Sequence, residues 1–189
     1  MGKDLVIIAW GDSIVYGWHD NEYGGWVNRL KIKLYNRKKT SFIFNMGIPG
    51  QKSLDILKRF EEELKNRFNN EDDFKLIFAF GIKDSLLLNK DIKYTEQFEK
   101  NVNEIINKAF KYSKDICFIG IIKPDLSKRK EYNLDNVLKI DEIIERQCQI
   151  NKIKYIEIKN LLSKDDLYDG LHPNAVGYEK ICNEILNNF

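Results

Sequence analysis

Hydrophobic positions along the chain follow two alternating patterns. Short runs rich in β-branched and aromatic residues read as strands: Leu5 to Trp10, Phe42 to Asn45, Leu76 to Phe80, Ile116 to Ile121 and Ile153 to Ile158. Between them, apolar residues recur every three or four positions, the spacing of one helix face. Those stripes are Trp26, Leu30 and Leu34; Ile56, Phe60, Leu64 and Phe68; Phe98, Val102, Ile105 and Ala109; Val137, Ile140, Ile144 and Cys148; and Val176, Ile181, Ile185 and Leu186. Each is read as core packing. Regular alternation of strand and helix specifies repeated βα units, hence an α/β fold around a parallel sheet. Ligands of such sheets bind outside the carboxyl ends of the strands, so the turns that follow the strands are where chemistry belongs.

Composition narrows the picture. With 43% hydrophobic residues in 189, the chain has enough apolar mass for one sizeable core, and a single domain over residues 1–189 is expected. Only 3 prolines occur and no Gly/Ser-rich stretch marks a linker. Lys and Arg number 31 against 29 Asp and Glu, and this net charge of +2 gives no electrostatic reason to expect nucleic acid or an anionic membrane as partner. No apolar run is long enough to span a bilayer. Met1 to Asp4 lead directly into a strand without a small-residue cleavage site, so no signal peptide is expected. Cys117, Cys148 and Cys182 lack metal-type spacing and sit inside apolar stripes, which makes them small buried hydrophobes and a reducing cytoplasm their natural setting. The segment Lys123 to Asn133, KPDLSKRKEYN, follows a strand end and either borders a crevice or is a solvated loop; its charge favours the loop.

Four post-strand turns remain: Gly11-Asp12-Ser13, then Asn45 to Gly50 (NMGIPG), then Gly81-Ile82-Lys83-Asp84, and Asp169-Gly170-Leu171-His172-Pro173-Asn174 before the last helix. Taken alone, Gly-Asp-Ser fits an ordinary turn as well as it fits a serine presented for attack. A serine nucleophile needs a base, and the base needs an orienting group. The chain has 2 histidines, His19 and His172. Asp169 precedes His172 by three residues, a spacing that lets its carboxylate reach Nδ1 and leave Nε2 free for a hydroxyl. The same stretch also suits a loop in which Asp169 or Asn174 caps the final helix. His19 shows no such arrangement and is read as a surface residue. Two histidines far apart in sequence and scattered cysteines offer no metal cluster, and neither a metal nor another cofactor is expected.

In this order, the four turns resemble the SGNH or GDSL hydrolases, serine esterases and lipases. GDSIVYG and DGLHPN match strongly, NMGIPGQKS moderately, and the resemblance runs from Gly11 to His172. It implies a three-layer α/β/α sandwich, flavodoxin-like, with a five-stranded parallel sheet in the order 2-1-3-4-5. It also implies a catalytic Ser13, with His172 as general base and Asp169 as its orienting carboxylate. The oxyanion hole would consist of the amides of Ser13 and Gly50 plus a side chain from the third turn. The expected activity is metal-independent hydrolysis of a small-molecule carboxylic ester through an acyl-enzyme, with a small or medium acyl group. Asp12 would tie the turn together beside the substrate, and Tyr16 and Trp18, near Gly17, would line a pocket or pack.

The third turn departs from the family. Where the pattern has Gly-x-Asn-Asp, the chain reads Gly81-Ile82-Lys83-Asp84, so Lys83 stands at the position of the oxyanion-hole asparagine. Either the ammonium is a retained donor on a longer stem, or the enzyme is weakened and the scaffold serves as a ligand-binding module. A flavodoxin-like or receiver-type domain of other ancestry would need a phosphate-gripping loop or an acidic cluster after the first strand, and GDSIVYG supplies neither.

Overall fold

In the interior strand β1 (Leu5–Gly11), Val6, Ile8 and Trp10 face one side and Ile7 and Ala9 the other, the period-two alternation of a strand. Both sets are buried, as a parallel strand covered on both faces requires. The computed structural model describes residues 5–36, 42–68 and 72–189. Strands β2 (Phe42–Gly47), β3 (Asp73–Ala79), β4 (Asp115–Ile119) and β5 (Lys154–Ile156) complete a parallel sheet of order β2-β1-β3-β4-β5. Ile8 is in register with Phe44 on one side and Leu76 on the other.

Helices α1 (Ser13–Tyr16), α2 (Trp26–Asn36), α3 (Ser53–Lys65), α4 (Ile82–Leu88), α5 (Tyr94–Ala109), α6 (Leu134–Asn151) and α7 (Ala175–Asn187) connect or follow the strands. The apolar stripes of α2 and α7 cover the Ile7 and Ala9 face, and those of α3, α4, α5 and α6 cover the Val6, Ile8 and Trp10 face. This is the expected three-layer α/β/α sandwich. The strand order reverses between β1 and β3, so the crevice at a topological switch point opens where Gly11 and Ala79 lie side by side. Gly11 fits there because it has no side chain: a Cβ would lie 2.1 Å from the Ala79 carbonyl and 2.3 Å from Val15 Cγ2.

Several local readings need correction. β3 begins at Asp73, not Leu76, because buried Lys75 is neutralised by Asp115 at 2.9 Å and lies over the Phe189 ring. β3 ends at Ala79 and β4 at Ile119, while β5 is confined to Lys154–Ile156, although Ile158 beyond it stays buried. β1 and β2 instead run on to Gly11 and Gly47. Helix α4 is too short to show periodicity. Val176 is not core but 58% exposed, since the buried face of α7 is made by Tyr178, Ile181, Cys182 and Ile185. Phe68 lies past α3 and packs on Phe74 and Tyr112. Cys117, Cys148 and Cys182 are buried, as expected. Among the described residues, no helix is long and apolar enough to cross a membrane.

The strand ends are braced from beneath by Asp84, which is completely buried. It accepts hydrogen bonds from the Ser53 amide (3.0 Å), the Ser53 hydroxyl (2.6 Å) and the Tyr94 hydroxyl (2.8 Å), and Asn101 donates to Ser53 Oγ at 2.9 Å. One carboxyl thus joins α3, α4 and α5. Asp84→Ala strands these donors in the interior and is expected to lower unfolding free energy by about 3 kcal/mol in urea titration. An unchanged midpoint would show that the network contributes nothing to stability.

Candidate active site

β1 delivers Gly11 and Asp12 to the sheet's carboxyl edge, and the chain turns at once into α1. Asp12 caps that helix, its Oδ1 accepting from the Ile14 amide at 2.9 Å, and Ser13 takes the first helical position. Asp12 is buried, and burial pushes its carboxyl up to about 7. The Ser13 amide and the Gly50 amide donate no hydrogen bond among the described residues. Gly50 turns the chain between β2 and α3 at φ 82°, a left-handed backbone angle that glycine adopts without strain.

Ser13 Oγ lies 2.9 Å from His172 Nε2, and His172 Nδ1 lies 2.8 Å from Asp169 Oδ2. The turn before α7 builds this alignment locally: Asp169 Oδ1 accepts the amides of Leu171 and His172 at 3.0 and 2.8 Å, which frees Oδ2 to face the ring. Burial would raise the Asp169 carboxyl, but the His172 amide and ring and the Leu171 amide outweigh it and hold the group well below the usual carboxylate range. For His172 the balance goes the other way: burial lowers its basicity, Asp169 opposes the drop, and His19 and Arg129 add to it. The imidazole is therefore neutral at neutral pH, the state in which a base can accept a proton.

Two further side chains reach Asp169. Arg129 donates through Nε to the Asp169 carbonyl at 3.0 Å and through Nη2 to Oδ2. His19 Nε2 stands 3.7 Å from Oδ2, its ring stacked on Tyr168 at 4.3 Å and 5.5 Å from the His172 ring. The two histidines, far apart in sequence, are thus adjacent in space, and His19, read as a surface residue, borders the Asp169 carboxylate. His19, Asp169 and His172 bring potential metal-ligating atoms within 4.8 Å of one another. The carboxylate oxygens are already engaged by His172, Arg129 and two amides, which makes the group a hydrogen-bonded relay and a poor cation cage.

Sequence reasoning passed over the elements that hold this arrangement. The segment Lys123 to Asn133 is a loop with most of its residues exposed, yet it is anchored at the site: Asp125 and Tyr132 are each 5% exposed, and the Asp125 amide donates to the Gly170 carbonyl at 2.7 Å. Its position after a strand end was the available signal. On the opposite side, buried Asp20 accepts from Arg29 Nε and Nη2 at 3.0 and 3.1 Å and from the Gly25 amide at 2.8 Å. Tyr178 donates its hydroxyl to the Trp18 carbonyl at 2.9 Å. Together these fix the loop carrying Trp18 and His19, where His19 holds a left-handed φ of 68°. Trp18 is exposed 6.3 Å from the His172 ring and 6.0 Å from exposed Tyr16, forming an aromatic flank. Lys83 is half-buried with Nζ 5.7 Å from the Tyr132 ring, on the same wall as Gly50.

Arg129 opposes a positive charge on His172 and also shares Asp169 Oδ2 with it. Arg129→Met is expected to lower kcat/KM by about 10-fold, the loss of one charge-assisted contact. The same change raises His172 basicity, so the acid limb of the kcat/KM profile moves to higher pH, from a wild-type position below the ordinary imidazole value of about 6.5. A limb that stays in place or moves to lower pH would contradict this assignment.

A family model described as the GDSL-like lipase/acylhydrolase family matches residues 9–180. Among curated proteins no match is found. A lipase/acylhydrolase from Enterococcus faecalis has a similar structure, with TM-score 0.82, 22% identity, and coverage of 97% of this chain and 94% of that one. A lipolytic protein of the G-D-S-L family from Veillonella parvula gives TM-score 0.80, 20% identity and 98% of each chain. An acetylxylan esterase from Geobacillus stearothermophilus gives TM-score 0.77, 15% identity, and 98% and 94% coverage. At these identities the structures speak for the fold, and the family model speaks for descent. Since that model runs from the first strand into the last helix, the chain belongs to the GDSL-like lipase/acylhydrolase family and is an ester hydrolase.

Proposed function

We infer that Ser13, His172 and Asp169 hydrolyse a carboxylic ester through a covalent acyl-enzyme. The observation that carries this reading is the continuous chain of contacts from Ser13 Oγ through both nitrogens of His172 to Asp169. As Ser13 Oγ attacks the carbonyl carbon, His172 Nε2 takes its proton, and Asp169 stabilises the resulting imidazolium. The imidazolium returns the proton to the departing alcohol. Water then attacks the acyl-enzyme with His172 acting as base again, releasing the acid and restoring Ser13. The unpaired amides of Ser13 and Gly50 supply donors for the oxyanion, with the Lys83 ammonium as the third.

Exposed Tyr16 and Trp18 offer apolar faces beside His172 for the group flanking the ester. A small acyl group suits the reading, and the acetylxylan esterase among the structural neighbours is in keeping with it. The rival reading, a weakened hydrolase retained as a ligand-binding module, rests on Lys83 alone and leaves the aligned serine, histidine and aspartate without a role. Partition of the acyl-enzyme tests the mechanism. With acetates of several phenols in aqueous methanol, the ratio of methyl acetate to acetate should not depend on the phenol, because every substrate passes through the same acetyl-Ser13. A ratio that follows the leaving group would rule that intermediate out.

A further inference from the structure

Lys83 opens onto more than the oxyanion position. With Gly50, Lys52, Leu86, Leu87 and Lys90 it lines a pocket of about 410 Å³ next to the turn that carries the Gly50 amide. The lining combines the apolar Leu86 and Leu87 with three lysines. Lys83 and Lys90 have no ion-pair or hydrogen-bond partner for their ammonium groups among the described residues, and Lys52 has only Asp55 at 3.8 Å. The pocket's carboxylate, Glu131, faces Arg129 at 3.6 Å. By contrast, Lys75 is paired with Asp115, Lys108 with Glu61 and Arg29 with Asp20. The Tyr132 ring lies 5.7 Å from Lys83 Nζ, and its buried hydroxyl has no hydrogen-bond partner among the described residues.

Two unpaired ammonium groups and a third paired only at 3.8 Å share one concavity, and an anion seated among them gains attraction from all three. Lysine is suited to such a role because it places a compact charge at the end of a long stem. An asparagine at position 83 would offer a hydrogen bond but no charge. We propose that this pocket binds an anionic group of the substrate, so that the preferred esters carry a carboxylate or a phosphate a few atoms from the scissile bond. The assignment rests on the Ser13 reaction described above, in which the Gly50 amide would bind the oxyanion while Gly50 also lines this pocket. The departure from the family's third turn is thereby a specificity feature of this chain.

The test compares matched esters with the purified full chain. On the acyl side, p-nitrophenyl valerate is set against the mono-p-nitrophenyl ester of glutaric acid, which has a carboxylate in place of the terminal methyl. On the alcohol side, monoacetyl glycerol is set against acetyl glycerol phosphate. One arm should show the anionic member preferred in kcat/KM by about 10-fold at low ionic strength, mainly through KM, with the preference shrinking as salt is added. The arm that responds identifies which half of the ester enters the pocket. Lys83→Met should abolish the preference, and the exposed substitution Lys90→Met should reduce it while leaving hydrolysis of the neutral ester intact. Neutral esters hydrolysed as well as anionic ones in both arms, with ratios unmoved by Lys83→Met, would overturn the pocket assignment while leaving the Ser13 reaction standing. Anionic preference that survives in Ser13→Ala at wild-type rates would overturn both.

Discussion

Ser13→Ala is expected to lower kcat/KM for p-nitrophenyl acetate by about 10⁴-fold or more, the scale seen when a serine nucleophile is removed from a triad. The hydroxyl's contact within the protein is with His172 at 2.9 Å, so alanine removes the attacking atom and little else. Alanine also suits the first position of α1, and the Asp12 cap on the Ile14 amide does not involve the hydroxyl. Circular dichroism and melting temperature should therefore match wild type while turnover is lost. Residual activity within a few-fold of wild type would mean that another group attacks the ester.

The second large effect separates the two histidines. His172→Ala should cost about as much as Ser13→Ala, because members of a triad act as a unit and their losses do not add. His19 also stands near Asp169, but it has no contact with Ser13 among the described residues and its backbone occupies the left-handed region. Asparagine tolerates that conformation better than alanine, so His19→Asn is the clean comparison, with an expected loss below about 10-fold. Activities are measured at pH 8, where the imidazole of His172, held below its ordinary range, is neutral. Should His19→Asn be the inactive variant and His172→Ala the active one, the assignment of the base is reversed.

Much of the fold is legible in the sequence because its signals are local. β-branched runs and helical stripes give the βα alternation, and the turn residues at strand ends mark where chemistry gathers. What stays hidden depends on partners distant in sequence. Lys75 interrupts an apolar run, and only its pairing with Asp115, forty residues on, shows why the strand tolerates it. Arg129 sits among charges that look like a solvated loop, yet its partner is Asp169. His19 and His172 are separated by most of the chain and meet only because the loop after α1 and the turn before α7 share the carboxyl edge of the sheet. Helix α4, with seven residues, is too short for periodicity to register, although its first turn carries Asp84 and Lys83. Val176 fits the apolar spacing of α7 on paper but lies off the buried face set by Tyr178 and Ile181.

The central claim is that Ser13 is the nucleophile and His172 activates it, and covalent trapping tests it most directly. Incubation with a p-nitrophenyl alkylphosphonate, followed by digestion and mass spectrometry, should place one phosphonyl group on the peptide containing Ser13, with activity falling in step with labelling. Labelling should be absent in Ser13→Ala and slowed by orders of magnitude in His172→Ala. A phosphonyl group on any other residue, or an unlabelled Ser13 in an enzyme that has lost its activity, would contradict the account.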